Sequence, residues 1–254
     1  MIEVSVEGDV AFIALARPDA RNAMSVEMGR QLSEAVASVA RSPARAVVIS
    51  GKGAVFSAGG DFGFLEERLR STAEENRVAM LRFYEAFLSV RTLPQPTIAA
   101  LHGAAIGAGL CFAMGCDLRV AAEGTKLSVN FVKLGLHPGM GATWLLPRLV
   151  GPARAAELLM TGRQIEAAEA LRIGLVNEVV PADRVLERAR EVAREIASAG
   201  PVAVRQVKES LRAPGLEQAL EVEARAQAVS YATKDLAEGV AAARERRAPK
   251  FSGA

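Results

Sequence analysis

Two glycine-bearing loops constrain this chain more than any other feature. Val55-Phe56-Ser57-Ala58-Gly59-Gly60-Asp61-Phe62 is followed about forty-five residues later by Gly103-Ala104-Ala105-Ile106-Gly107-Ala108-Gly109, and each segment follows an apolar run and precedes a helical pattern. Glycine permits backbone conformations that L-residues resist, and a strand-to-helix junction leaves N–H groups unpaired. Two such junctions brought together form a backbone site for negative charge. Each loop also has a purely structural reading: a tight turn capped by Asp61, and close helix packing at Gly107 and Gly109.

The rest of the pattern supplies the frame. Residues 2–7 and 10–15 alternate apolar and polar around Gly8-Asp9, a β-hairpin signature. Ser25 offers an N-cap to a helix from about 26 to 41. Residues 46–50 and 97–101 read as short buried strands, and Asp61 caps one long helical segment over 62–91. A small-residue helix over about 107–116 and a strand over 117–121 follow, giving an α/β order with crossover connections. From about residue 152 the pattern is nearly all helical, interrupted by one extended segment at 175–180. The change near 190–200 divides the chain into an α/β core, 1–195, and a C-terminal helical region, 196–254. Amphipathic helices at the end need something to pack on, which points to self-assembly.

Composition excludes several classes. Lys plus Arg (31) nearly balance Asp plus Glu (29), so no global field points to nucleic acid or an anionic membrane surface. No apolar run approaches the ~18 residues of a membrane span, and no leader pattern precedes the first strand, so a cytoplasmic protein is expected. Cys111 and Cys116 lack metal-ligand spacing, and no metal site is expected. The second glycine cluster lacks the Gly-x-Gly-x-x-Gly spacing of a dinucleotide fold.

The Ala58-Gly59-Gly60-Asp61 motif and the 103–109 cluster, with Arg17-Pro18, Asn22-Ala23 and Tyr231-Ala232-Thr233, resemble the enoyl-CoA hydratase/isomerase (crotonase) superfamily along the whole chain. The resemblance implies a crotonase-like spiral of strand–strand–helix turns with a C-terminal helical trimerisation region, assembled as a homotrimer or dimer of trimers. It implies an acyl-CoA thioester as substrate, with coenzyme A as part of that substrate and no tightly bound cofactor. The two oxyanion donors fall on the N–H groups of Gly60 and Ala108. The coenzyme contacts fall on Arg21, Ala23, Ala58, Asp61 and Phe62. Tyr231 and the basic end, Arg247 and Lys250, fall where a neighbouring subunit's nucleotide is reached.

The chain also departs from the family. The positions of its two acid/base glutamates hold Cys111 and Phe131, and the aspartate position of some isomerases holds Gly139. Between Thr97 and Gly151 the sequence has only Asp117 and Glu123 as carboxylates. Proton-transfer groups contribute ~10²–10⁴ each, so a substitute is needed for hydration. His137 and Cys111 are the candidates, beside the blander readings of a loop histidine bonded to backbone and a core thiol. A carboxylate from the 62–91 segment is a third source. Three outcomes stay open: hydration or isomerisation, decarboxylation of a malonyl-type thioester, and a non-catalytic acyl-CoA-binding homologue.

Overall fold

A computed structural model describes residues 1–211, 216–247 and 249–250. Its elements run β1 (Ile2–Glu7), β2 (Val10–Leu15), α1 (Val26–Ala40), β3 (Ala46–Gly51), α2 (Phe62–Arg68), α3 (Ala73–Leu88), β4 (Thr97–Leu101), β5 (Ala104–Ile106) and α4 (Ala108–Met114). They continue through β6 (Leu118–Ala122), β7 (Lys126–Ser128), α5 (Ala142–Val150), α6 (Pro152–Thr161), β8 (Ile165–Glu166), α7 (Ala167–Arg172) and β9 (Glu178–Val180). Four helices close the chain: α8 (Val185–Ala197), α9 (Pro201–Ser210), α10 (Leu216–Tyr231) and α11 (Lys234–Glu245).

The main sheet has the order β1-β2-β3-β4-β6-β9, antiparallel only between β1 and β2. A second, smaller sheet pairs β5 with β7 and β7 with β8. Strand periodicity sorts the side chains. Val47, Ile49, Ala99 and Leu101 join the main core under α1, whereas Ala46, Val48, Ile98 and Ala100 face the other way. That second face is covered by Val185, Ala189 and Ala193, one turn apart along α8. A sheet buried on both faces explains why β3 and β4 read as continuous apolar runs.

Local signals set the helices. Ser25 accepts from Met28 N at 3.2 Å to start α1, whose buried Met28, Leu32, Val36 and Val39 form one stripe. The expected single helix over 62–91 is two. Asp61 starts α2, and a capping box between Thr72 and Glu75 starts α3 afresh after a break at 69–72. The second glycine loop is likewise not all loop, because Ala104–Ile106 forms β5. The helix after it is shorter than expected, Ala108–Met114. The expected C-terminal region is helical where described; residues 212–215, 248 and 251–254 of it lie outside the described residues. Within the same chain α10 packs on α3 and α5, and α11 on α2 and the turn at 130–134. Among the described residues, no helix is long and apolar enough to cross a membrane.

Candidate active site

The two glycine loops are bound to each other by backbone hydrogen bonds. Phe56 N donates to His102 O at 2.9 Å, Ser57 N to Ala104 O at 3.1 Å, and Ile106 N back to Ser57 O at 3.1 Å. A third strand of loop joins from the other side. Ala58 N donates to Arg21 O (2.9 Å), Met24 N to Gly59 O (2.7 Å) and Asp61 N to Met24 O (3.0 Å). Glycine is required where these segments touch. Gly59 sits at φ +99, and a Cβ there would stand 2.8 Å from Ile106 O; one at Gly109 would stand 2.7 Å from Ser57 Cβ.

This zipper uses the N–H groups of Ala58, Gly59 and Asp61 but not that of Gly60. Ala108, the first residue of α4, likewise has no intrahelical acceptor for its N–H. Among the described residues, neither Gly60 N–H nor Ala108 N–H donates to a protein acceptor. Both residues line one cavity of about 150 Å³. Two convergent free N–H groups on a cavity wall can hold an oxygen on which negative charge develops.

The remaining wall is mostly apolar: Phe64, Met80, Phe83, Phe131, Leu136 and Met140. Low polarity strengthens each hydrogen bond made inside it. Among the described residues that line the cavity, none is an aspartate or glutamate. Polar groups reach it from α3 and α10. Tyr84 Oη donates to Gln227 Oε1, and Gln227 Nε2 donates to His137 O at 3.0 Å. A Cβ at Gly139 would overlap both the Gln227 amide and the Tyr84 hydroxyl. The space beside this glycine is therefore filled by a tyrosine–glutamine pair. Burial pushes the Tyr84 hydroxyl well above its ordinary range, with the nearby Glu223 adding to the shift.

Glu223 is the carboxylate that sequence reasoning missed. It is fully buried, accepting from Gly141 N (2.6 Å), Thr143 N (3.0 Å) and Thr143 Oγ1 (2.6 Å), and so caps the start of α5. Burial raises its pKa, against the pull of these three donors. Glu223, Gln227 and Tyr231 are spaced by four along α10 and form one inward stripe. That spacing was legible; what the stripe packs against was not.

The other expected site residues scatter. Ala58 and Phe62 line the cavity with the two donors. Arg21 is exposed, in a left-handed turn, and contributes its carbonyl to the zipper. Ala23 presents its carbonyl to Arg17 Nη1 at 3.2 Å. Asp61 is paired with Arg17 at 2.7 Å and caps α2 through Gly63 N, so its carboxylate is engaged by the protein itself. Tyr231 is 2% exposed, lines this chain's own cavity and donates to Met80 Sδ at 3.5 Å, so it is no outward-facing aromatic for a neighbour. Lys250 lies instead in a polar hollow with Lys234, Asp235, Glu238 and Arg247, which shares no lining residue with the cavity.

Neither expected proton carrier faces the cavity. The His137 ring is hydrogen-bonded through Nδ1 to Pro138 O at 2.7 Å, and the residue is not part of the lining. Cys111 is sealed in the core of α4, where burial, reinforced by the Glu223 charge, pushes its thiol well above the ordinary value. A thiol so placed is neither an acid at neutral pH nor a nucleophile. The carboxylates of the 62–91 segment do not line the cavity either: Glu66 pairs with Arg244, Glu67 with Arg68 and Glu74 with Arg77, Glu75 closes its capping box, and Glu85 is exposed on α3.

A spiral α/β fold in which two joined glycine loops border an apolar cavity defines the crotonase class. Comparison with known proteins agrees along the full length. The model of the family described as enoyl-CoA hydratase/isomerase matches residues 5–254. A putative enoyl-CoA hydratase of Thermus thermophilus is 40% identical over 255 residues, covering 99% of this chain and 100% of that protein. The crotonyl-CoA hydratase of Syntrophomonas wolfei is 37% identical over 250 residues, covering 96% and 95%. The crystal structure of an enoyl-CoA hydratase from Mycobacterium avium subsp. paratuberculosis aligns with a TM-score of 0.86 at 30% identity, covering 99% and 98%. The chain belongs to the enoyl-CoA hydratase/isomerase family.

Proposed function

We propose that the protein hydrates the double bond of a 2-enoyl-CoA thioester, holding the thioester oxygen between Gly60 N–H and Ala108 N–H. The observation that carries this reading is the pair of acceptor-free N–H groups on one cavity wall. As water oxygen bonds to the β-carbon and gives up one proton, charge passes to the thioester oxygen, where the two donors stabilise the enolate; a proton then returns to the α-carbon, so that the net addition is one molecule of water. A missing donor of this kind typically costs ~10²–10³ in turnover. The relatives described as enoyl-CoA hydratases support hydration over the family's other reactions. The acyl group takes the apolar cavity beyond the donors, beside Ala58 and Phe62. The coenzyme lies outward past Arg21, Ala23 and Asp61, and Lys250, in its separate hollow, is read as serving a phosphate of the nucleotide held by a neighbouring subunit.

One observation favours a second reading. With no carboxylate among the described cavity-lining residues, a substrate that brings its own charge suits the site. Decarboxylation of a malonyl-type thioester is such a case: loss of CO₂ leaves a thioester enolate for the same two donors, and it then needs a single proton. Mass spectrometry of the protein incubated with enoyl-, malonyl- and methylmalonyl-CoA separates the two. Gain of water by the enoyl thioester supports hydratase, loss of CO₂ supports decarboxylase, and binding without change in any thioester supports a non-catalytic acyl-CoA binder.

The C-terminal region, 196–254, is read as the part that assembles the protein into a trimer or a dimer of trimers. Val207, Leu211 and Val229 are 59%, 77% and 66% exposed there, large apolar side chains suited to cover by a second copy. Light scattering on the purified protein measures the assembly directly, and a monomer would overturn this reading.

A further inference from the structure

We propose that Gln227 is a positioning residue that fixes the acyl-facing wall of the cavity and confines the site to short acyl groups. The proposal rests on the acyl-CoA reading above. A cavity of about 150 Å³ is the size that takes a benzene-sized guest, so it suits an acyl group of about six carbons or fewer.

The wall in question is the segment 136–141. Leu136 and Met140 line the cavity from it, both nearly fully buried. Met140 holds a left-handed backbone conformation, φ 57, that non-glycine residues rarely adopt. Such a conformation persists only where its surroundings over-determine it. Methionine side chains also repack readily, so the shape of this wall has to be fixed through its backbone.

Three α10 side chains hold that backbone on either side of Met140. Ser230 Oγ accepts from His137 N at 3.2 Å, Gln227 Nε2 donates to His137 O at 3.0 Å, and Glu223 accepts from Gly141 N at 2.6 Å. Gln227 has a feature the other two bonds lack. His137 O can only accept, so the amide must present its nitrogen there and its oxygen to Tyr84. It thereby ties α10, the wall and α3 in one chain of hydrogen bonds. The pair also fills the space beside Gly139, against which the wall closes. Without it, Leu136 and Met140 are free to move outward and the cavity can lengthen.

The test is calorimetric binding of butyryl-CoA and decanoyl-CoA to the full-length protein, Gln227→Leu and Tyr84→Phe, with melting curves to confirm folding. Wild type is expected to prefer butyryl-CoA by at least about tenfold, the cost of overfilling a packed site. Gln227→Leu is expected to reduce that preference at least fivefold by gaining affinity for the long chain, and Tyr84→Phe to shift it the same way. Both thioesters carry the same coenzyme, so general damage lowers both affinities together and leaves the ratio unchanged. An unchanged ratio in the folded variants, or a wild type that binds both chains alike, overturns the proposal while leaving the acyl-CoA reading intact. Failure of wild type to bind either thioester overturns that reading, and this proposal with it.

Discussion

Ser57 and Ala105 form a parallel β-bridge, with Ser57 N bonded to Ala104 O and Ser57 O to Ile106 N, both at 3.1 Å. This bridge, with the Phe56 N–His102 O bond beside it, brings the two glycine loops together. It fixes Gly60 three residues beyond one side and Ala108 three beyond the other, and both residues line the same cavity.

Replacing Gly60 with proline removes its N–H. Turnover of the best thioester should fall by ~10²–10³, in line with loss of one oxyanion donor. Gly60→Ala is the control. A Cβ there meets no atom within 4 Å and the N–H is kept, so its activity should stay within a few-fold of wild type. Equal activity in both variants would remove Gly60 from the reaction.

Cys111 is expected to be a core residue. Iodoacetamide should leave both cysteines unmodified in the native protein and alkylate both after denaturation, as read by intact mass. Cys111→Ala should cost about 1 kcal/mol of stability, as small core truncations do, with kcat nearly unchanged. Rapid native labelling, or a hundredfold loss of kcat, would restore the thiol to the chemistry.

The Arg17–Asp61 pair predicts a pH signature. Burial alone would raise the Asp61 carboxyl; hydrogen bonds from Arg17 and Gly63 N outweigh it and hold the group below its ordinary value of 3.8. A carboxylate depressed by folding adds stability above its unfolded pKa, and that contribution disappears as pH falls through the folded value. The melting temperature of wild type should therefore drop more steeply than that of Asp61→Asn below about pH 4. Parallel curves for the two proteins would show that the pair contributes nothing measurable.

Glu223→Ala strips three hydrogen bonds from the first turn of α5 and leaves the buried Gly141 N without an acceptor. The loss should be about 3 kcal/mol in a urea titration, the scale for breaking a buried, charge-assisted cap. A change below about 0.5 kcal/mol, the scale of an ordinary surface substitution, would mean that water replaces the carboxylate.

The sequence by itself determined the frame and the two glycine loops. The β1–β2 hairpin, the Ser25 and Asp61 caps and the first glycine loop are local signals, set by residues a few positions apart, and each appears where the sequence places it, while part of the second loop pairs as β5. The break between α2 and α3 was also local: Thr72 and Glu75 spell a capping box that the charged pattern around it obscured. Only the tertiary structure decided what surrounds the donors. Tyr84 and Gln227 are 143 positions apart and Glu223 lies 82 from Gly141, so no local pattern relates them. His137 and Cys111 lie near the site in sequence, but side-chain direction turns one toward Pro138 O and buries the other in α4. Backbone conformation and capping are short-range, whereas the lining of a cavity is set by how distant helices pack. The sequence therefore located the two glycine loops, and the packing of α10 on α3 supplied the side chains around them.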